Sequence, residues 1–370
     1  MLKVRSKFVV VIAAAVGGPL LIACNDAQTK PAPAAQEVAE APKAKTVTVK
    51  TTQELFTALM TARGGDTYLL APGQYSALGL RGAKYGGSGV TIKSADPKNR
   101  VTMAGIELAD CSGLSFEDIE VTINQRTQTA LNVNACSGVR LSSLDVHGPP
   151  GAQNGGLLFR NSTNVIVNDT DFHDLGTAVR NVDSNYVTIS GSRFRDIRGD
   201  GVQTTGTSNI TITGNHFTDF HTAPGDHPDA IQFFTVNQKA EVHDIMITDN
   251  VIVRGKGDIT QGIFMGNEAD LAYVDVTISG NKVVGAMWNG IAIGKGRNLS
   301  ITNNIVQGYV DQSSWIMAEG AVNAVISNNR STDYVDKDNK SAKFKDNKRL
   351  KLGKVGDVSA LELPPLPQEN

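Results

Sequence analysis

Two apolar side chains flanking a third residue recur along the chain. They read Leu114-Ser-Phe116, Val139-Arg-Leu141, Val165-Ile-Val167, Val187-Thr-Ile189, Ile210-Thr-Ile212, Ile245-Met-Ile247, Val276-Thr-Ile278, Leu299-Ser-Ile301 and Ala324-Val-Ile326. Between the second apolar residues the steps are 25, 26, 22, 23, 35, 31, 23 and 25 residues. An alternation of period two is strand chemistry, and its return every twenty-odd residues marks a solenoid. Each unit carries a second strand upstream (Gly201-Val-Gln-Thr, Ala230-Ile-Gln-Phe, Gly262-Ile-Phe-Met, Gly290-Ile-Ala-Ile). A shorter third strand follows (Asn215-His-Phe217, Asn250-Val-Ile252, Asn281-Lys-Val283, Asn304-Ile-Val306). Three strands per coil predict an all-β parallel β-helix, each residue stacked on its equivalent one coil away at strand spacing.

Two ladders support the register. Asn215, Asn250, Asn281, Asn304 and Asn329 each sit three residues after the aligned isoleucine. Inward amides there can hydrogen-bond to one another and to the bend backbone. Cys111-Ser-Gly-Leu and Cys136-Ser-Gly-Val fall at the same place in neighbouring coils. Their Cα atoms should lie about 5 Å apart, within disulfide reach, so this structural pair is either a disulfide or two stacked thiols. Thr51-x-x-Glu54 reads as a capping box, and Leu55, Ala58, Leu59 and Ala62 follow at helical spacing. An N-terminal capping helix there would cover the open end of the first coil. The repeat places one β-helix over residues 46–335, with a basic segment, 336–370, wrapping or capping its far end.

Composition sharpens this picture. Aromatics at 6% and 37 glycines suit short strands and tight turns, and a net charge of −2 gives no electrostatic case for nucleic acid. Lys3, Arg5 and Lys7 precede an uncharged stretch, Phe8 to Ala23, too short to span a bilayer comfortably. Residues 1–23 therefore read as a secretory signal. They close on Leu21-Ile22-Ala23-Cys24, which resembles the bacterial lipobox and implies cleavage before Cys24 and lipidation of it. Asn25 is not the aspartate of the inner-membrane retention signal, so an outer-membrane lipoprotein facing the periplasm or the cell surface is expected. Residues 24–45 are a disordered Ala/Pro-rich tether. A monomer is expected.

Gly65-Asp66-Thr67-Tyr-Leu-Leu-Ala-Pro-Gly73-Gln-Tyr75 resembles the first-coil signature of chondroitinase-B-like and alginate-lyase-like β-helices. Together with the repeat, residues 65–334 resemble the pectate-lyase-like superfamily. That resemblance implies a single-stranded right-handed parallel β-helix acting on a polyuronide. The superfamily also holds epimerases, hydrolases, esterases and adhesins, so the fold does not name the activity. Asp226-His227-Pro228-Asp229 has the residue types of the Asp-Pro-His-Asp segment of alginate C5-epimerases, in another order. The sequence lacks the polygalacturonase motifs and the Trp-x-Asp-His and Arg-x-Pro-x-x-Arg patterns of pectate lyases.

Loop length points to the chemistry. The two inflated coils gain residues in His221 to Asp229, Arg254 to Gln261 and Gly266 to Tyr273. Insertions of this kind should wall a groove over the strands at Ile231 and Ile263. With Val179, Val202, Ile231, Ile263 and Ile291 inward, the outward column reads Leu158, Arg180, Gln203, Gln232, Phe264, Ala292. A second column, at the strand heads, reads Thr177, Asp200, Asp229, Gln261, Asn289. Gln203, Gln232, Asn267, Glu268 and Trp288 are the expected substrate-binding residues.

These residue types suit abstraction of the C5 proton of a uronic acid in an acidic polysaccharide. The sugar carboxylate would be neutralised by Arg180 or Lys256, or by a Ca²⁺ held by Asp200 and Asp229. His227 or His221 would be the base, with Asp229 beside it, and the other histidine would protonate the leaving oxygen. Elimination makes a lyase; return of the proton from the opposite face makes a C5-epimerase. A glycoside hydrolase using Asp200 and Asp229, about 5 Å apart by strand spacing, is one alternative. A non-catalytic surface polysaccharide binder is the other. No cofactor besides Ca²⁺ is expected.

Overall fold

The computed structural model describes residues 43–363, and in it the chain winds as a right-handed parallel β-solenoid. Every full coil lays down three strands, which pair in parallel register into sheets of 13, 12 and 11 strands. The repeated motif builds the 13-stranded long sheet. Leu114, Val139, Val165, Val187 and Ile210 are successive partners there, and the series continues through Ile245, Val276 and Leu299 to Ala324. Both apolar residues of each motif are buried, because period two sends them to the same inner face. Phe172, Phe194 and Phe217, on the 12-stranded short sheet, stack inside with centroids 5.1 and 4.5 Å apart and planes within 10°.

The corner into the short sheet shows why the asparagines recur. One left-handed residue turns the chain at Gly214, Asp249, Gly280, Asn303 and Asn328, with φ of 64, 55, 70, 59 and 58°. Gly, Asn and Asp tolerate that conformation best. The next residue is the ladder asparagine, at most 1% exposed. Its backbone N–H and its Nδ2 both donate to Oδ1 of the asparagine one coil on, at 2.9–3.0 Å from Asn215 through to Asn329. The same Nδ2 also reaches a backbone carbonyl of the preceding coil, Ile189 O for Asn215 and Ile212 O for Asn250. The ladder thus satisfies the polar groups of the corner without water.

A second column uses small side chains. Cys111 N–H donates to Cys136 Sγ (3.3 Å), Cys136 N–H to Ser162 Oγ (3.1 Å), and Ser162 N–H to Ser184 Oγ (3.2 Å). Both cysteines are buried free thiols. Of the two expected states, the structure holds the stacked thiols, each sulfur standing where the next coils place a hydroxyl.

At the N-terminal end a helix spans Thr52–Leu59, and its Leu55 and Leu59 enter the core. Thr51 Oγ1 accepts from Glu54 N–H (3.1 Å) as a capping box requires, but Glu54 Oε2 accepts from Lys50 N–H (2.8 Å) instead of from Thr51. At the other end Asp333–Lys337, Lys340–Lys345 and Lys348–Arg349 pair with the preceding coil, so the solenoid runs past residue 335. Ala342 and Phe344 pack on the core while lysines alternate outward. The signal (1–23), Cys24 and the tether as far as residue 42 lie outside the described residues.

Candidate active site

Five strands of the 11-stranded sheet carry the candidate chemistry: Thr177–Val182, Val202–Thr205, Asp229–Phe233, Gln261–Met265 and Trp288–Gly294. Their register pairs Leu158 with Arg180, then Gln203, Gln232, Phe264 and Ala292 in one outward column. The connections 219–228 and 254–260 enter these strands, and 234–241 and 266–272 leave them. The inserted residues thus flank both ends of the two central strands. Arg198 holds the first loop in place, with Nε 2.8 Å and Nη2 3.2 Å from the Asp226 carboxylate.

Under that loop the strand heads are buried. Asp200 is 6% exposed, and Asp229 and Gln261 have no exposed surface. Gln203 Nε2 donates to Asp200 Oδ2 (2.6 Å) and to Gln232 Oε1 (3.1 Å), and Gln232 Nε2 donates to Asp229 Oδ2 (2.9 Å). Asp229 N–H donates to Asp200 Oδ1 (3.0 Å). Asp229 Oδ1 is buried without a hydrogen-bond partner. Burial first, and then the charge of Asp229, pushes the Asp200 carboxyl up to about 7. Burial also raises Asp229, opposed by His227 and Gln232. Two buried neighbouring carboxyls in one site do not both ionise readily. A carboxyl that titrates near 7 is only about half ionised at neutral pH, so the pair does not carry two full charges there.

His227 sits over this pair with its side chain 60% exposed and Nδ1 3.6 Å from Asp229 Oδ2. That carboxylate raises the imidazole above its usual value. Gln261 Nε2 lies 2.9 and 3.1 Å from the two ring nitrogens. An amide about equally far from both lies over the ring and not on the axis of either lone pair. Phe264 packs obliquely against the ring, centroids 6.2 Å apart. The chain of bonds continues as Asn289 Nδ2 to Gln261 Oε1 and Trp315 Nε1 to Asn289 Oδ1 (3.2 Å).

The other candidates are dispersed. Arg180 is exposed one coil behind Gln203, with Nη2 3.5 Å from Thr177 Oγ1, and its charge acts on Asp200. His221 pairs with Asp196 (3.1 Å) at the start of the inserted loop and makes no hydrogen bond to Asp200 or Asp229. Lys256 donates its backbone N–H to Asp219 (2.6 Å). Glu268 Oε2 accepts from Thr235 N–H (2.9 Å), which braces one exit loop against the other. Asn267 and Phe264 line a cavity of about 610 Å³ together with Lys295, Arg297 and Lys340. Trp288 is 48% exposed at the head of its strand. Sequence reasoning missed Arg198 and Trp315. The second was within reach, because Trp315 extends the head column by one coil.

Residues 83–306 match the family model described as the right handed beta helix region. No curated protein sequence matches the chain significantly. Among solved structures, an alginate lyase from Paenibacillus sp. str. FPU-7 is similar at 15% identity and a TM-score of 0.51, over 84% of this chain and 98% of that one. A surface adhesin of Streptococcus pneumoniae aligns at 12% identity and a TM-score of 0.49, over 81% of this chain and 87% of its own. A pectate lyase aligns at 13% identity and 0.45, over 82% and 80%. At these identities the likeness is one of fold.

Proposed function

The chain belongs to the right-handed β-helix region family, and on that premise we propose that it is a lyase or C5-epimerase of an acidic, uronate-containing polysaccharide. One observation carries the reading: an exposed His227 backed by a fully buried Asp229. His227 Nε2 takes the C5 proton. Asp229 is a positioning residue that orients the ring and stabilises the imidazolium. Arg180 pairs with the sugar carboxylate, so that charge developing at C5 can spread into it. In the lyase outcome the C5–H electron pair forms the C4=C5 bond as the C4–O bond breaks, and the departing oxygen takes a proton from water. In the epimerase outcome a proton returns to C5 from the opposite face. The adjoining cavity adds no charge preference, because Lys295, Arg297 and Lys340 share its lining with Glu241, Asp270, Glu319 and Asp338.

The hydrolase alternative is weaker on this geometry. Its two carboxyls would have to flank the glycosidic bond, yet Asp229 has no exposed surface and Asp200 only 6%. For Ca²⁺ there is one favourable feature, the unpartnered Asp229 Oδ1. Against it, the other three oxygens of the pair already accept N–H groups. The reading extends to location: a lipid on Cys24 would hold the enzyme at the outer membrane, where such polymers are met.

The test offers alginate, pectate and glycosaminoglycans to the purified full chain, with Ca²⁺ and with chelator, and follows the ultraviolet absorbance of the unsaturated uronate. A rise that His227→Ala abolishes supports the lyase. No rise, but exchange of the C5 hydrogen with solvent deuterium, supports the epimerase. Neither signal on any polymer overturns the catalytic reading in favour of a binder.

A further inference from the structure

The short sheet carries a second cluster, on a different sheet from His227. The sequence repeats Asp-x-His in neighbouring coils, as Asp145-Val-His147 and Asp171-Phe-His173. Parallel pairing puts His147 directly beneath His173, rings 4.7 Å apart and 8° from parallel. His147 Nε2 lies 3.0 Å from Glu120 Oε1, and His173 Nε2 lies 3.0 Å from Asp145 Oδ1. The other nitrogen of each ring is already held. Nδ1 of His147 bonds Gly148 O (3.0 Å), and Nδ1 of His173 bonds Asp174 Oδ2 (2.7 Å). All four side chains are partly buried, between 15 and 34% exposed.

We propose that Glu120, Asp145, His147 and His173 bind one divalent transition-metal ion of the Zn²⁺ class, clipping three successive coils together. Three arguments converge. Ligand atoms of Asp145, His147 and His173 lie within 4.8 Å of one another. A tetrahedral ion at 2.0–2.1 Å from its ligands sets them about 3.3 Å apart, so the 3.0 Å N···O pairs are nearly at that spacing. Binding would turn the two rings, now 8° from parallel, toward each other so that both Nε2 lone pairs meet at the ion. Metal-binding histidines also characteristically donate their second N–H to a carboxylate or a backbone carbonyl, and both partners are in place here. Finally, two imidazoles with carboxylates are the donor set of Zn²⁺ and its neighbours, not of Ca²⁺.

Arg195 ends the cluster on the next coil, so the ion has no further ligand in that direction.

The test dialyses the full chain against Zn²⁺ and counts bound metal, with Co²⁺ absorption reporting the coordination geometry. One equivalent is expected, with the intense visible bands of tetrahedral Co²⁺. His147→Ala/His173→Ala should abolish binding, Asp174→Asn should weaken it about 10–100-fold, and His243→Ala should leave it unchanged. Zn²⁺ should raise the melting temperature of wild type but not of the double variant. No retained metal in wild type, or undiminished retention in the double variant, overturns the proposal. If the double variant does not fold, Asp145→Asn decides: tight binding unchanged from wild type counts against the site.

Discussion

Replacing Asp200 by Asn should make the protein increasingly more stable than wild type as the pH rises, although it removes a hydrogen bond. The wild-type carboxyl moves from its ordinary 3.8 to about 7 on folding, because burial and Asp229 both oppose its charge. A folded value raised above the unfolded one gives stability that is complete below 3.8 and is lost as the pH climbs to about 7. Between those limits the unfolded chain has released a proton that the native state still holds. The full cost of ionising Asp200 in place is about 4 kcal/mol, at 1.36 kcal/mol per pH unit. From pH 5 to pH 8 the wild type should lose about 3 kcal/mol of it. The substituted amide can still accept from Asp229 N–H, but it forfeits the Gln203 bond, at about 1 kcal/mol, and this cost is nearly independent of pH. With about 2.1 cal/mol/K of unfolding entropy per residue, 1 kcal/mol moves the melting temperature of a chain this long by about 1.5 °C. Melting curves of Asp200→Asn and wild type at pH 5 and pH 8 should therefore diverge by about 4 °C, in favour of the variant at pH 8. A difference that is the same at both values, or that shrinks, would refute the upward shift of the Asp200 carboxyl.

Asp229→Asn should move the acid limb of the kcat/KM profile down toward 6.5. The base must be neutral to act, and the Asp229 carboxylate now holds His227 above its usual value; a limb that does not move would separate the two residues. Asn250→Ala should cost at least about 3 kcal/mol in urea unfolding, since it removes the bonds that Oδ1 accepts from Asn215 N–H and Nδ2 and those that Nδ2 donates to Ile212 O and Asn281 Oδ1. A loss below about 1 kcal/mol would mean that water fills in for the amide. Cys111→Ser should stay within about 1 kcal/mol of wild type, because serine already fills the equivalent place at Ser162 and Ser184. Neither thiol should react with a thiol reagent before unfolding, and fast labelling of the native protein would contradict their burial.

The coils were legible because stacking repeats one constraint many times. An inward Ile at 189, 212, 247, 278, 301 and 326 is demanded by the same inner face each time. The outward column from Arg180 to Ala292 follows from that register alone, and each pairing falls where the alternation puts it. The loops obey no such constraint. Nothing in the spacing of His221 and His227 says that the first turns back to Asp196 while the second closes over Asp229. Glu268 looks like a groove carboxylate and is consumed in bracing Thr235. Asp229 reads as the head of an accessible strand and is sealed by the loop before it. Periodicity transmits the position of a side chain, but its solvent exposure is set by neighbours far along the chain.

That separation explains what the solenoid can build on its outer faces. Side chains in one column meet their equivalents about 4.8 Å away, so the chemistry of a column depends on which types are made neighbours. Where Asp200 meets Asp229 under cover, like charges at that spacing oppose each other, and the pair does not carry two full charges near neutrality. Where His147 meets His173 with a carboxylate at each Nε2, the same spacing leaves lone pairs that one cation can gather. The first column becomes a candidate catalytic site only because the 35- and 31-residue coils supply a histidine above it and walls around it. The second has no inflated coil over it. It is therefore suited to holding an ion that ties coils together, and not to enclosing a substrate.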